Sequence, residues 1–242
     1  MDELSVAERL TAMVYWIHLS DGRRVGMLEP MGAFFARRLA GYDEHMRRDI
    51  QGAKEFYPAT AALLPGFPGC RVLDLGCGTG LELEAWLPGH PDARVTGIDL
   101  SPEMLAALRA KFPRWDLDLR CGSYLELALG EAEYDAAISV ESLHHFPPET
   151  KLGLYRRLHA ALKPGGYFLL TDYFAADPGE EAAFFRELAE LRRREGLAPD
   201  ALVHFDTPLT REHELALLGE AGFGPLEVLG TWGATSLIRG WK

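Results

Sequence analysis

The chain has 242 residues, 48% of them hydrophobic and 25% charged, which is typical of a globular protein with one large core. Its net charge of −11 at pH 7 lies almost wholly after residue 69, which disfavours partners with a phosphate backbone. No apolar run approaches the ~20 residues of a membrane span, and three cysteines without C-x-x-C spacing indicate neither disulfides nor a zinc site.

The first 64 residues are predicted to form a helical cap or lid. Apolar residues at helical spacing predict helices over residues 4–19, 33–40 and 51–64, with a break over residues 41–46. A static cap, a dimer contact and a lid that closes over a ligand all fit this pattern. Met1-Asp2-Glu3 lacks the basic start of a signal peptide, so we expect a cytoplasmic protein, either a monomer or a homodimer.

Paired arginines in this segment have two interpretations, a solvated helix face or a local basic patch for nucleic acid. Because the rest of the chain is acidic, we expect no nucleic-acid partner. The pairs are Arg23-Arg24, Arg37-Arg38 and Arg47-Arg48.

A glycine-rich loop follows the first predicted strand, residues 71–75. Gly76, Gly78 and Gly80 alternate in V-L-D-L-G-C-G-T-G, and without a Cβ they allow a ligand to approach the backbone. A helix is predicted over residues 80–87, with its free N–H groups facing the same ligand. The second strand, residues 94–98, ends at Asp99, where an acid in such a unit binds the hydroxyls of a ribose.

The spacing of these glycines separates two cofactor classes. Dinucleotide sites use G-x-G-x-x-G, whereas this loop has G-x-G-x-G preceded by Asp74, an acid that suits a cationic amine better than a phosphate. The segment Asp74-Leu75-Gly76-Cys77-Gly78-Thr79-Gly80 resembles the first motif of the class I S-adenosylmethionine-dependent methyltransferases. The resemblance implies S-adenosylmethionine as cofactor, bound in part by Asp74, Gly76, Cys77, Gly78 and Gly80.

Two other functions stay open at this point. One is a relative that binds or modifies S-adenosylmethionine without methyl transfer, similar to carboxy-S-adenosylmethionine synthase. The other is an NAD(P)-dependent oxidoreductase, which the glycine spacing and Asp74 disfavour.

Strands and helices alternate through the rest of the chain. Strands are predicted over residues 117–121, 135–140 and 167–171, and helices after the cap Ser101 and over residues 149–162, 178–194 and 211–221. The runs 225–230 and 235–241 predict a hairpin. We therefore expect an α/β fold in residues 65–242, a seven-stranded, mostly parallel, doubly wound sheet with an antiparallel C-terminal hairpin.

Cofactor-binding residues are expected where the strands end, since ligands of doubly wound sheets bind outside the carboxyl ends of the strands. Asp99 would bind ribose, and Ser123 is either an adenine ligand or a helix cap. Relatives also place a tyrosine of a Y-D-x-x-M segment beside the cofactor, which implies Tyr42 and suggests Met46. The remaining candidates are Leu100, Met104, Gly122, Tyr124, Ser139 and Val140.

The segment after the fourth strand predicts the acceptor. It lacks the [N/D/S]-P-P-[Y/F] motif of enzymes that methylate bases, no cysteine follows a proline as in cytosine-C5 enzymes, and no metal-binding acid cluster is evident. A small-molecule acceptor, methylated on oxygen or nitrogen, fits what is left, with no metal. His145 or His144 is the predicted base, oriented by Asp172 after the fifth strand, although either histidine could simply be structural.

Overall fold

The computed structural model describes residues 28–198 and 201–242, so the predicted helix over residues 4–19 lies outside the described part. The described residues contribute seven strands to one sheet. The strands are β1 (Arg71–Leu75), β2 (Arg94–Asp99), β3 (Asp116–Cys121), β4 (Tyr134–Val140), β5 (Leu162–Tyr173), β6 (Leu226–Trp232) and β7 (Thr235–Trp241).

The strand order is β3-β2-β1-β4-β5-β7-β6 in the described residues, which confirms the predicted fold class. β1 to β5 are parallel, and β7 inserts antiparallel between β5 and β6, so the hairpin places its second strand inside the sheet. β1 and β4 lie at the centre and are almost wholly buried, which explains their apolar sequences.

Helices cover both faces of this sheet. Side-chain caps mark three of their starts: the hydroxyl of Ser101, the predicted cap, accepts from the Met104 N–H at 3.2 Å, and Asp177 and Thr210 cap two later helices in the same way. None of the helices in the described ranges is both long and apolar enough to cross a membrane. The helices are α1 (Met31–Asp49), α2 (Ala53–Ala61), α3 (Pro102–Lys111), α4 (Pro148–Ala161), α5 (Pro178–Glu195) and α6 (Arg211–Glu220).

The predicted break over residues 41–46 is wrong, because α1 runs through it without interruption. Gly41 is its only glycine in that stretch, and one glycine in a helix costs only about 1 kcal/mol relative to alanine. Half-buried Tyr42 and buried Met46 continue the inward face of the helix past the glycine, and this tertiary packing outweighs the local cost.

The predicted helix over residues 80–87 is also wrong. Two short 3₁₀ turns, Leu81–Leu83 and Leu87–Gly89, take its place. Gly80 is left-handed (φ 75°), and Pro88 has no N–H to donate, so residues that do not continue an α-helix lie at both ends of the segment. The turns are largely buried, including Glu82, and none of the α-helices in the described residues begins at the glycine loop.

β5 is longer than predicted and includes residues 164–166, which were expected to lie before the strand. Leu162 pairs with Tyr134, and the register then shifts before Tyr167 pairs with Ala136. Gly165 is left-handed (φ 77°) and permits this irregularity without ending the strand.

The arginine pairs of α1 contact acids of this chain. Arg47 pairs with Glu84, and Arg48 with Glu44 and Asp49. Arg37 pairs with Glu29. These contacts fit the solvated-face interpretation; Arg23-Arg24 lies outside the described residues.

A buried ion pair joins α4 to α6. Lys151 Nζ lies 2.6 Å from Glu214 Oε2, with 2% and 0% of the two side chains exposed, and the Tyr155 hydroxyl donates to the other carboxylate oxygen. Removing one partner of such a pair leaves an uncompensated buried charge.

We therefore expect Glu214→Ala to lower the free energy of unfolding by about 3–5 kcal/mol in urea titrations. Glu220→Ala is the matched control, because it breaks the Arg156–Glu220 pair between the same two helices, where both side chains are 58% exposed. That control is expected to cost at most about 1 kcal/mol. Equal losses for the two variants would contradict the role given to the buried pair.

Candidate cofactor and acceptor site

The glycine loop is fixed against β2. The N–H groups of Gly76 and Cys77 both donate to the Ile98 carbonyl, at 2.9 and 3.2 Å. Gly76 is left-handed (φ 73°), and a Cβ there would collide with the Ser142 hydroxyl. The Cys77 thiol packs over Gly97, so this side chain faces the core and offers a ligand only its backbone.

Asp99 lies at the end of β2, directly beside this loop. Its Oδ2 accepts from the Gly78 N–H at 2.9 Å, and its Oδ1 accepts from the Ser101 N–H at 2.8 Å. Burial raises its pKa, and these backbone donors oppose the rise. Each carboxylate oxygen retains a further lone pair, so Asp99 can accept from two ribose hydroxyls.

Asp74 is buried next to Glu82, a residue that the sequence did not single out. Neither oxygen of Asp74 nor Oε1 of Glu82 meets a hydrogen-bond donor among the described residues. Burial raises the pKa of both carboxyls, that of Glu82 to about 7, and the charge of Glu82 raises the pKa of Asp74 further. A buried acidic pair without donors suits a cationic amino group.

Tyr42 of α1 lies over the loop, with its Cε1 and its hydroxyl oxygen both 3.9 Å from where a Cβ of Gly78 would stand. The next residue, Asp43, accepts from the Thr79 hydroxyl at 2.5 Å and from Lys111 Nζ at 2.7 Å. Lys111 also pairs with Glu84 at 2.7 Å. We call Asp43, Thr79, Lys111 and Glu84 the latch, because they fasten α1 to the loop and to α3.

The other predicted cofactor residues divide into two groups. Ser139 and Ser123 use their hydroxyls inside the protein: Ser139 donates to the Leu75 carbonyl at 3.0 Å, and Ser123 accepts from the Leu125 N–H at 3.2 Å. Ser123 thus makes the kind of contact, from a backbone N–H to its hydroxyl, that the helix-cap interpretation predicts. The remaining residues lie at the carboxyl ends of β2, β3 and β4, where the prediction put them; they are Leu100, Met104, Gly122, Tyr124 and Val140.

Asp172 organises the turn after β4. Its Oδ2 accepts from the N–H groups of Leu143 and His144 at 2.9 and 3.0 Å, and its Oδ1 lies 2.5 Å from His144 Nδ1. The structure therefore brings Asp172 to His144, and not to His145.

His145 has a different carboxylate beside it. Its Nδ1 lies 2.9 Å from Oδ1 of Asp206, a residue between α5 and α6, and Nε2 of His144 lies 3.5 Å from the same oxygen. The Tyr173 hydroxyl donates to the other oxygen of Asp206 at 2.8 Å. The backbone of Thr207 donates to the His144 carbonyl at 2.7 Å, which holds this segment against the turn.

These surroundings give the two histidines opposite pKa shifts. Burial opposes charge on His144, but Asp172 and Asp206 outweigh it and raise its pKa to about 9. Burial and the neighbouring His144 lower the pKa of His145 below its usual 6.5. At neutral pH, His144 is therefore protonated and His145 is neutral.

Sequence reasoning missed Glu82, Asp206 and His204. Burial lowers the pKa of His204 to about 3, and its ring lies 5.0 Å from that of His145. The only available signal was the polar sequence His204-Phe205-Asp206 in a connection between helices. Glu141, directly after β4, is also unusual: its backbone is left-handed (φ 49°), and burial raises its pKa to about 8.

Comparison with known proteins agrees with this geometry. Residues 72–166 match the family model described as a methyltransferase domain. O-methyltransferase cnsE of Penicillium expansum is 30% identical over 166 residues, covering 66% of this chain and 54% of that protein. The matched domain and these relatives support a class I S-adenosylmethionine-dependent methyltransferase.

Two further relatives agree with the assignment. Ubiquinone biosynthesis O-methyltransferase of Xanthomonas campestris is 39% identical over 107 residues, covering 43% of each chain. The apo structure of the methyltransferase SibL has a TM-score of 0.61 at 21% identity and covers 98% of this chain and 69% of that one, which supports the fold. The chain spans about half the length of the curated relatives it matches.

The family's cofactor is S-adenosylmethionine, and the residues present fit it. The buried Asp74–Glu82 pair lacks donors, as a site for a cationic amino group requires. The glycine loop leaves space that side chains would fill, and Asp99 beside it has free lone pairs for a ribose.

We expect Asp99→Ala to weaken binding of S-adenosylhomocysteine by two or more orders of magnitude in calorimetry. Two charge-assisted hydrogen bonds of ~1.5–3 kcal/mol each are lost, at ~1.4 kcal/mol per tenfold. Asp118→Ala is the control, because this acid lies on the neighbouring strand β3 with 56% of its side chain exposed. Parental affinity in a folded Asp99→Ala variant would contradict the assignment.

Proposed function

We propose that this protein transfers a methyl group from S-adenosylmethionine to an oxygen atom of a small-molecule acceptor. The observation that carries the proposal is a neutral, buried histidine beside a carboxylate, at the same sheet edge as the glycine loop. The O-methyltransferase names of the relatives favour oxygen over nitrogen. When bound, S-adenosylmethionine supplies an already activated methyl group.

His145 is the proposed base. A hydroxyl acceptor must lose its proton as the new bond forms, and a neutral imidazole can take that proton. Asp206 lies beside Nδ1 of the ring and stabilises the imidazolium that results. Tyr173 holds the second oxygen of Asp206 and so fixes the carboxylate in place.

His144 is a positioning residue in this proposal, because a histidine already protonated at neutral pH cannot accept another proton. Its ring lies between Asp172 and Asp206, and its backbone is bound to Asp172. Two neighbouring groups whose pKa values are driven apart commonly divide catalytic roles in this way.

We expect His145→Gln to lower turnover by roughly 10²–10⁴-fold, since general-base help is lost, while cofactor affinity stays the same. The measurement is product formation followed by mass, with an acceptor identified by screening. His213→Gln is the control, because His213 also pairs with a carboxylate, Glu181, but lies on α6 away from the site.

The pH dependence has a defined sign. The lowered pKa of His145 keeps the base neutral at pH 7, so the rate should fall only as the pH drops through values below 6.5.

Unchanged turnover in His145→Gln would leave positioning of the reactants as the whole mechanism. Formation of a modified S-adenosylmethionine, with no methylated acceptor, would instead favour the alternative function, modification of the cofactor itself.

We also propose that α1 acts as a lid over the bound cofactor; residues 1–27 of the predicted cap (residues 1–64) lie outside the described part. Support comes from Tyr42, which lies over Gly78, and from the latch, whose ion pairs are partly exposed. Exclusion of water favours methyl transfer from a sulfonium, and a lid must open to exchange the cofactor.

We expect Asp43→Asn to increase the dissociation rate of S-adenosylhomocysteine about two- to fivefold, because a partly exposed charged contact is lost. The rate is measured by stopped-flow displacement. Glu44→Gln is the control, since Glu44 is 77% exposed on the same helix and pairs only within the helix in the described residues. Equal rates in both variants and the parent would favour a static cap.

A further inference from the structure

Three buried polar atoms next to His145 lack a hydrogen-bond partner among the described residues: His145 Nδ1, Asp206 Oδ1 and His204 Nδ1. The first two are 2.9 Å apart but are not aligned as a hydrogen bond. Buried polar atoms are normally paired. Three such atoms in one place indicate a subsite that a ligand's polar groups complete.

Aromatic rings flank this subsite. The Phe34 ring stacks on His204 with centroids 3.5 Å apart and planes 8° apart. The Phe35 ring lies 5.6 Å from His204, 6.3 Å from His145 and 6.2 Å from Tyr42, the residue over the glycine loop. Phe35 therefore lies between the cofactor side and the polar atoms, where the face of a cyclic acceptor would pack.

Charge selects the polar groups that fit. Asp206 is anionic, because His144 and His145 outweigh its burial and lower its pKa. An anionic oxygen accepts from hydroxyls and repels carboxylates or phosphates. A neutral imidazole such as His204 can both donate and accept, which suits a hydroxyl group again.

We propose that His204 is a specificity-determining residue that, with Asp206, binds a second hydroxyl of the acceptor, adjacent to the hydroxyl deprotonated by His145. The acceptor class is therefore a cyclic vicinal diol, either aromatic or alicyclic. This inference rests on the proposed function, whose site it completes. The segment that carries His204 is fixed at two points: the His204 N–H donates to the Glu29 carbonyl at 2.9 Å, and the Thr207 N–H donates to the His144 carbonyl at 2.7 Å.

The experiment compares matched acceptors in the full chain. Catechol is compared with phenol to test an aromatic diol, and cis-1,2-cyclohexanediol is compared with cyclohexanol to test an alicyclic diol. Binding is measured by calorimetry with S-adenosylhomocysteine present, and turnover with S-adenosylmethionine. For one of these two pairs, we expect the diol to bind about tenfold more tightly than the mono-alcohol, because it makes one added hydrogen bond.

His204→Phe retains the ring that stacks on Phe34 and removes both nitrogens, so the diol preference should fall to about twofold or less. His204→Gln retains a donor and an acceptor and should keep part of the preference, which also tests the proposal should the phenylalanine variant fail to fold. His90→Phe is the control, because His90 stacks on Trp86 outside the site and should leave the preference unchanged.

Two results would overturn the proposal: no diol preference in the parent protein in either arm, or the same preference in His204→Phe. A third would reassign the subsite. His144, His145 and Asp206 lie close enough to hold a metal ion, so a diol preference abolished by EDTA and restored by Mg²⁺ or Mn²⁺ would give the role to a metal. Failure of the proposed function is distinct, because then no acceptor of either kind is methylated.

Discussion

The site depends on carboxylates at the ends of strands, which accept hydrogen bonds from backbone N–H groups of the loops around them. Parallel strands leave such N–H groups unpaired where they end, and these must find acceptors if they are buried. Asp99 accepts from Gly78 and so fixes the glycine loop, while Asp172 accepts from Leu143 and His144 and fixes the histidine turn. The cofactor and acceptor ends are thus set by the same kind of contact, on β2 and β5.

The second consequence of these carboxylates is electrostatic. Asp172 and Asp206 hold His144 protonated, and the resulting cation, together with burial, keeps His145 neutral. His144 and His145, which are neighbours in the sequence, therefore differ in charge at neutral pH. A base is available in a buried site because a neighbouring histidine carries the compensating positive charge.

Local sequence predicted the parts of the site that follow directly from strands. The glycine loop, Asp99 and the positions of the strands along the chain could be predicted because strand ends and turn residues have short-range signals. The contact between Asp172 and His144 follows from adjacent parallel strands, β4 and β5. Asp206 and His204 lie in a connection between helices, whose position depends on packing across the whole fold, and no periodicity indicates it.

The same reason accounts for the errors. Gly41 read as a break, but buried contacts on both sides of it carry α1 onward. The sequence predicts a helix over residues 80–87, but the segment is largely buried, Pro88 follows it, and 3₁₀ turns form instead. Glu82 becomes part of the site. In each case tertiary packing overrode a local preference.

A crystal structure with S-adenosylhomocysteine tests the central claim most directly. The account predicts that both ribose hydroxyls lie within hydrogen-bond distance of the Asp99 carboxylate, with the amino group near Asp74 and Glu82 and the sulfur facing the His145 side of the site. A nucleoside bound away from Asp99, or a sulfur separated from His145 by the core of the protein, would contradict it.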